Sequence, residues 1–563
     1  MTYLVIVVNH VGMHVARAFW RSANGKTYES IYLRESYRVG DKVQKRNIAN
    51  LTHCDPKEIA AIELALKHKG DLNALNSVAQ VQISQGASVG AVWTVYQVAC
   101  QLGIERALGS DFAGQLAMWQ VLARVLEQGS RLSAVRLAKV HAACDVLGIR
   151  RGFDENDLYE NLDWLSDHQQ QIELCIFTAR YQQQKPQLFL YDVTSSYLEG
   201  EQNAYGAYGY NRDGKKSKKQ IVIGMLCDPD GEPLATKVFL GNTQDTKTFA
   251  DQITKVSQSF GCEQVTFVGD RGMIKSGQIE DLSTAGFHYI TAITKPQIDT
   301  MLASGVLQLD LFASEVCQIE QESIRYVLRR NPVRAEQMAA SRADKQAVAQ
   351  RWMSQLNLYL ESHPKAKMET AETKLRSKIK QLKIDSWMSV ESSGRKLELK
   401  TDPEALEKAA QLDGCYVLKT DLPTSAASAQ TVHDRYKDLT KVEMAFRTCK
   451  TTHLEARPIH VRTAEHTRAH VLVVMLAYLI RRTLAKAWAK FDLTVEEGLR
   501  QLQMLCAMEM KIEGQATCLR IPSPTSSAQA LLDALNVRVP EALPHLPTSV
   551  GTQRKLPQRR KLA

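Results

Sequence analysis

Hydrophobic and polar positions change period several times along the chain, and each change marks a boundary. Residues 1 to about 50 carry short runs of β-branched and aromatic residues, "YLVIVV" and "YESIYLRESYRV", with the turn signal "NGK" between them. They predict strands. "DPKEIAAIELALKH" (55–68) predicts a helix with Asp55 as N-cap and Pro56 in its first position. From about 91 to 182 apolar residues recur with helical spacing in four segments. The character changes at Pro186. "QLFLYDVTSSYLEG", "KQIVIGMLCD" and "EPLATKVFLG" read as strands, the last two joined by the hairpin signal "PDG". A helix, the strand "EQVTFVGDRG", a second helix and the strand "FHYITAIT" follow. Three strands, helix, strand, helix, strand is an α/β pattern with a mixed sheet.

Residues 297–414 break that rhythm with charged helices and two strand-like runs, "SIRYVLRR" and "KLELKTD", and read as an insertion. The α/β pattern resumes at "CYVLKTDL" (415–422). The expected division is 1–90 strand-rich with a helix, 91–185 helical, 186–296 first half of the α/β core, 297–414 insertion, 415–490 second half, and 491–563 a helical region with a Pro-rich, basic end. "VLVVMLAYLI" (471–480) is too short to span a bilayer and reads as part of a buried helix, so no membrane partner is expected.

Composition adds a lean towards an anionic partner. Of 563 residues, 71 are Lys or Arg and 61 are Asp or Glu, a formal net charge of +10. Basic residues cluster in "NRDGKKSKK" (211–219), which holds Lys215, Lys216, Lys218 and Lys219, and in the C-terminal "QRKLPQRRKLA". Such runs are ordinarily solvated loops or tails. The eleven cysteines form no CxxC pair, which fits reduced thiols, and the N-terminus shows no cleavable leader. Both point to the cytoplasm.

Two acids interrupt apolar strands: Asp192 in "LYDVTSS" and Asp270 at the end of "TFVGD". A carboxylate in an apolar strand is costly to bury alone, and two on neighbouring strands repel unless a cation lies between them. Glu443, in "YKDLTKVEMAFRTCK" (436–450), is the candidate third acid. In that stretch Tyr436, Glu443 and Lys450 recur every seven residues, so one helix would stack them along one face. Two plainer readings stand beside this. The stripe is a solvated face, or "TKVE" is a capping box with Thr440 as N-cap and Tyr436 on an earlier helix. Asp213, Asp228 and Asp245 read as turn or cap residues.

These motifs resemble bacterial insertion-sequence transposases of the DDE class, whose catalytic core is RNase H-like. More narrowly, the chain is similar to a superfamily whose third acid lies in a Tyr-(2)-Arg-(3)-Glu-(6)-Lys signature. Tyr436, Glu443 and Lys450 fall in register, and Leu439 stands at the arginine position, where Arg435 or Arg447 would have to substitute. "YDVTSSYLEG", "GNTQDTKTF", "VGDRGMI" and "RYVLRRNPVRAE" extend the resemblance over most of the chain. It implies an α/β fold in which an RNase H-like mixed sheet is flanked by helices and interrupted by an insertion domain, preceded by a DNA-binding region. It implies Asp192, Asp270 and Glu443 as ligands of two Mg²⁺ or Mn²⁺ ions. Tyr436 and Lys450 would clamp DNA phosphate, with Arg447 and the lysines of 215–219 as further contacts. Double-stranded DNA, as element terminal repeats and target, is the implied substrate, bound by a homodimer. A nuclease that cuts without joining, and a DNA-binding protein that has lost catalysis, are the other readings.

Overall fold

The structure is a computed structural model that describes residues 9–22, 26–39, 42–67, 81–215, 217–313, 315–451, 454, 456–512 and 518–554. The chain forms two compact units. The larger comprises Ala87–Leu505, Ser523–Val539 and Leu546–Ala563, and the smaller comprises Met1–Gly86, Cys506–Pro522 and Pro540–His545.

An eight-stranded mixed sheet is the centre of the larger unit. Its strands are β1 (Leu188–Tyr197), β2 (Gln220–Cys227), β3 (Pro233–Leu240), β4 (Thr266–Gly269), β5 (His288–Ala292), β6 (Cys317–Gln321), β7 (Ile324–Arg330) and β8 (Cys415–Thr420). They lie in the order β6-β7-β8-β5-β4-β1-β2-β3. β1, β2 and β3 form an antiparallel meander, with the expected hairpin at residues 228–232. Asp228 closes that turn, its Oδ1 accepting from the amides of Asp230 and Glu232. β4 and β5 run parallel to β1, so helices carry the chain back between them, as the sequence pattern predicts. β2 is buried at every position, which explains its continuous apolar run.

The expected insertion begins later than its sequence suggests. β6 and β7 lie inside 297–414, yet β7 pairs with β8 and β8 with β5, so both continue the central sheet. The part with its own core is Pro332–Ala410, where Ala349, Leu360, Leu375 and Trp387 pack together. The chain leaves and returns at one point, because the Asn331 amide donates to the Gly414 carbonyl at 2.9 Å.

Helices flank the sheet. α1 (Phe112–Leu126), α2 (Arg131–Val140) and α3 (Glu155–Arg180) belong to the predicted helical region. Towards the C-terminal side lie α4 (Ala429–Lys437), α5 (Leu439–Lys450) and α6 (Ala464–Trp488). α6 packs against α1, α3 and β3 together, which is why its middle is apolar on all sides. α5 packs on β1.

In the smaller unit, strands Asn9–Arg21, Thr27–Val39 and Lys42–Asn50 form an antiparallel meander. The "YLVIVV" run lies outside the described residues. The helix Pro56–Lys67 starts as expected: the Lys57 amide donates to Asp55 Oδ1 at 2.8 Å. Its Ile59 packs on Ile31 and Leu51. A second sheet joins Val81–Ser88, Cys506–Ile512, Cys518–Arg520 and Ala542–Leu543. This corrects the helical reading of the last seventy residues. "CAMEMKI" is built of helix formers, and pairing within this sheet overrides their propensity.

Candidate active site

The register of the sheet sets the two strand acids side by side. Tyr191 of β1 pairs with Gly269 of β4 across parallel strands, and Asp192 and Asp270 each come one residue later. Tyr191 is fully buried beside Phe249 on one face of the sheet. Alternation therefore turns Asp192 to the opposite face. α5 packs on β1 and brings Glu443 to the same place. All three acids line one cavity of about 390 Å³, with Thr194, Arg212, Asp245, Arg447, Lys450 and Arg457 around them.

Each acid is held differently. Asp192 Oδ1 accepts from the Val193 amide at 2.7 Å. Burial pushes its carboxyl up to about 7, and the charges of Asp270 and Glu443 push the same way, against the amide and Arg212. Asp270 Oδ1 accepts from the Arg271 amide at 2.8 Å and from the Tyr436 hydroxyl at 3.2 Å. Burial and Asp270 together raise the Tyr436 phenol, so it stays protonated and donates. Glu443 is exposed and makes no hydrogen bond or ion pair among the described residues. The three carboxylates face one another without closing on a point. Among the described residues, no group of three or more His, Cys, Asp or Glu side chains is drawn tightly enough to hold a metal ion. The donors are nevertheless hard oxygens whose mutual repulsion a divalent cation would relieve, and each acid keeps an oxygen directed to no protein donor.

The single stripe does not form, and Tyr436 lies on an earlier helix, as the alternative reading had it. The helix breaks at Asp438, so Tyr436 sits on α4 while Glu443 and Lys450 sit on α5. The capping box is absent too: the N-cap is Asp438, and the Thr440 hydroxyl donates back to the Lys437 carbonyl at 2.8 Å. Tyr436 reaches the acids from the side, through Asp270. Lys450 does not point freely outward. Its ammonium lies 2.6 Å from Asp213 Oδ1 and 3.0 Å from the Thr194 hydroxyl. Desolvation lowers its pKa, against the pull of Asp213. Leu439, at the signature arginine position, is buried. Arg435 lies 3.5 Å from Asp438, whereas Arg447 lines the acid cavity.

Two acids read as turn residues have other work. The Asp213 side chain is 2% exposed and takes both Lys450 and Arg457, each at 2.6 Å. Asp245 holds Arg212, whose Nη2 donates to both carboxylate oxygens at 2.8 and 2.7 Å. Sequence reasoning also missed Arg212, Arg457 and Thr194, although Thr194 and Asp245 lie within stretches that carry the resemblance. The described lysines of the basic run stay away from the acids. Lys215 lies over the Tyr197 ring, Lys218 meets Glu199 at 3.2 Å, and Lys219 donates to the Glu201 carbonyl at 3.2 Å. Lys216 and the last residues of the basic C-terminus lie outside the described residues.

A mixed α/β sheet presenting acids from adjacent strands and a covering helix can seat the divalent cations of phosphoryl-transfer chemistry. Residues 183–480, more than half of the chain, match the transposase DDE domain family, and the chain belongs to it. Residues 20–77 match the N-terminal domain of IS1634 family transposases. No curated protein matches the chain. Among solved structures it is similar to a piggyBac transposase in a synaptic complex with hairpin DNA, at 10% identity and a TM-score of 0.35, covering 73% of this chain and 75% of that one. The protein is thus a DNA-binding insertion-sequence transposase whose phosphoryl-transfer chemistry depends on divalent metal. Among the described residues, no helix is long and apolar enough to cross a membrane.

Proposed function

We propose that Asp192, Asp270 and Glu443 are the three catalytic acids, and that they hold two Mg²⁺ or Mn²⁺ ions. The observation that supports this reading is the convergence of three carboxylates, from β1, the end of β4 and α5, on one cavity. When bound, such cations activate the attacking oxygen and neutralise charge at the phosphorus.

The protein's own groups then position the strand. Tyr436 holds Asp270 by its hydroxyl and fixes that carboxylate's orientation. Arg447 lines the acid cavity and takes a phosphate beside the cut. Arg212, anchored by Asp245, lines the same cavity and adds a donor there. Lys450 contacts DNA after exchanging Asp213 for phosphate. In this reading the chain binds the terminal repeats of its element as a homodimer, cuts there, and joins the freed 3′ ends to target DNA. Residues 91–185 take part in end recognition, 332–410 act as the inserted domain of the core, and the protein works in the bacterial cytoplasm.

The test is cleavage and joining of a DNA fragment carrying the element's ends, with Mg²⁺ and with EDTA, by the wild type and Asp192→Asn. Metal-dependent nicking and joining that vanish in the variant support the assignment. Nicking that survives Asp192→Asn removes Asp192 from the triad, and nicking without joining reduces the activity to that of a nuclease.

A further inference from the structure

A second and larger cavity, about 980 Å³, opens beside the first. Arg457 lines both. Five arginines face the larger one: Arg124, Arg131, Arg457, Arg462 and Arg554. Glu160 is the one carboxylate among the described residues that line it. Two helices also begin there. Ser130 caps α2 by accepting from the Ser133 amide at 3.2 Å, and Thr463 caps α6 by accepting from the His466 amide at 3.1 Å. Both caps line the cavity, so the positive ends of two helix dipoles meet in it.

Arg131 points to the ligand's charge. It is only 6% exposed. Its Nε donates to Gln120 Oε1 at 2.8 Å, and its Nη1 lies 3.4 Å from His470 Nδ1. Its Nη2 is buried with no hydrogen-bond partner. Among the described residues no carboxylate forms an ion pair with it. Burial, with Arg124 close by, lowers its pKa to about 9. A buried guanidinium with an unused donor is costly, and an anion delivered from solution would satisfy both the donor and the charge. One wall adds a flat surface, because the Tyr159 ring stacks on His466 with centroids 5.8 Å apart. Inorganic phosphate has no use for such a surface, whereas a base does. The volume suits a few nucleotides of one strand and not a duplex.

We propose that this cavity is a second nucleic-acid site, in which a single DNA strand passing Arg457 from the acid cavity places a backbone phosphate on Arg131 and a base against Tyr159. The proposal rests on the transposase reading above.

The test is binding of labelled single-stranded and duplex oligonucleotides to the full chain in EDTA, over a series of salt concentrations. Arg131→Gln should weaken single-strand binding about tenfold and reduce the slope of log affinity against log salt by about 0.7, one phosphate contact. Exposed Arg462→Gln tests the same cavity without touching the core, and should lower the slope in the same direction. Thermal unfolding reports whether each variant is folded. Wild-type binding and slope in folded forms of both variants would overturn the proposal. So would pyrophosphate that raises the wild-type melting temperature, loses that effect in Arg131→Gln, and leaves strand binding unchanged, since the cavity would then take a small phosphate. Because binding is read without metal, its loss in the variants stands whether or not Asp192→Asn abolishes nicking, and the two readings fail separately.

Discussion

Lys450 and Asp213 meet at 2.6 Å although 237 positions separate them, and their pairing neutralises an ammonium that lines the acid cavity. Arg457 shares the same Asp213 oxygen. Asp213 is therefore the group that holds both cations in place before DNA arrives. Asp213→Asn removes the charge and keeps the shape. It should free Lys450 and Arg457 for phosphate, tightening DNA binding severalfold at low salt and steepening the salt dependence. Asp213→Ala should lose about 3 kcal/mol of stability, because two partly buried cations lose their counter-ion. Calorimetry and anisotropy titration read the two effects apart. Unchanged DNA affinity in a folded Asp213→Asn protein would show that the pair persists in the complex.

Tyr436→Phe deletes one hydroxyl and its bond to Asp270. The cavity is open to solvent, so the bond is worth roughly 1 kcal/mol. Cleavage should fall about fivefold and the metal concentration for half-maximal rate should rise, with the melting temperature unaltered. A rate change with no change in metal dependence would assign Tyr436 to the DNA strand alone.

The extent of the inserted domain can be tested by excision. Asn331 and Gly414 are hydrogen-bonded, so a short Gly/Ser linker can bridge 332–413. That deletion should keep one cooperative unfolding transition. Removing 300–410 takes out β6 and β7 and strips the edge of β8, and it should abolish cooperativity. If both deletions unfold alike, the sheet depends on contacts with the inserted domain.

These results follow the line between local and long-range information. The meander β1–β3 was legible because β-prone apolar runs and the "PDG" turn are local, and Asp192 and Asp270 stood out because a charge in an apolar strand is anomalous wherever it pairs. The Asp213–Lys450 pair was hidden, since nothing near Asp213 distinguishes it from a turn residue. The break at Asp438 carries no Pro or Gly, and the capping-box reading anticipated a helix start there but put its N-cap two residues late, at Thr440. β7 was seen as a strand, but which sheet it joins is decided by partners at 415–420. "CAMEMKI" failed for the same reason, a helix-prone run held in a sheet by its neighbours.

His470 offers a prediction for acid stability. It is buried in α6, with Arg131 Nη1 at 3.4 Å from Nδ1. Arg131 can only donate, so Nδ1 must carry its lone pair and the ring is neutral. Desolvation is the first cause holding its pKa well below the usual value, followed by the charges of Arg131 and Arg124, while a bond to the Ala456 backbone opposes them. A histidine depressed in the native state gains its proton first in the unfolded chain, whose pKa is about 6.5. Stability is therefore complete above that pH and falls as pH drops below it, by about 1 kcal/mol per unit until the native pKa is reached. His470→Gln keeps an acceptor for Arg131 and cannot titrate. Between pH 6.5 and 5.5 the wild type should lose about 1 kcal/mol more than this variant in denaturant unfolding. Parallel losses would mean that the buried ring admits its proton without cost, which two neighbouring guanidiniums forbid unless an anion accompanies it.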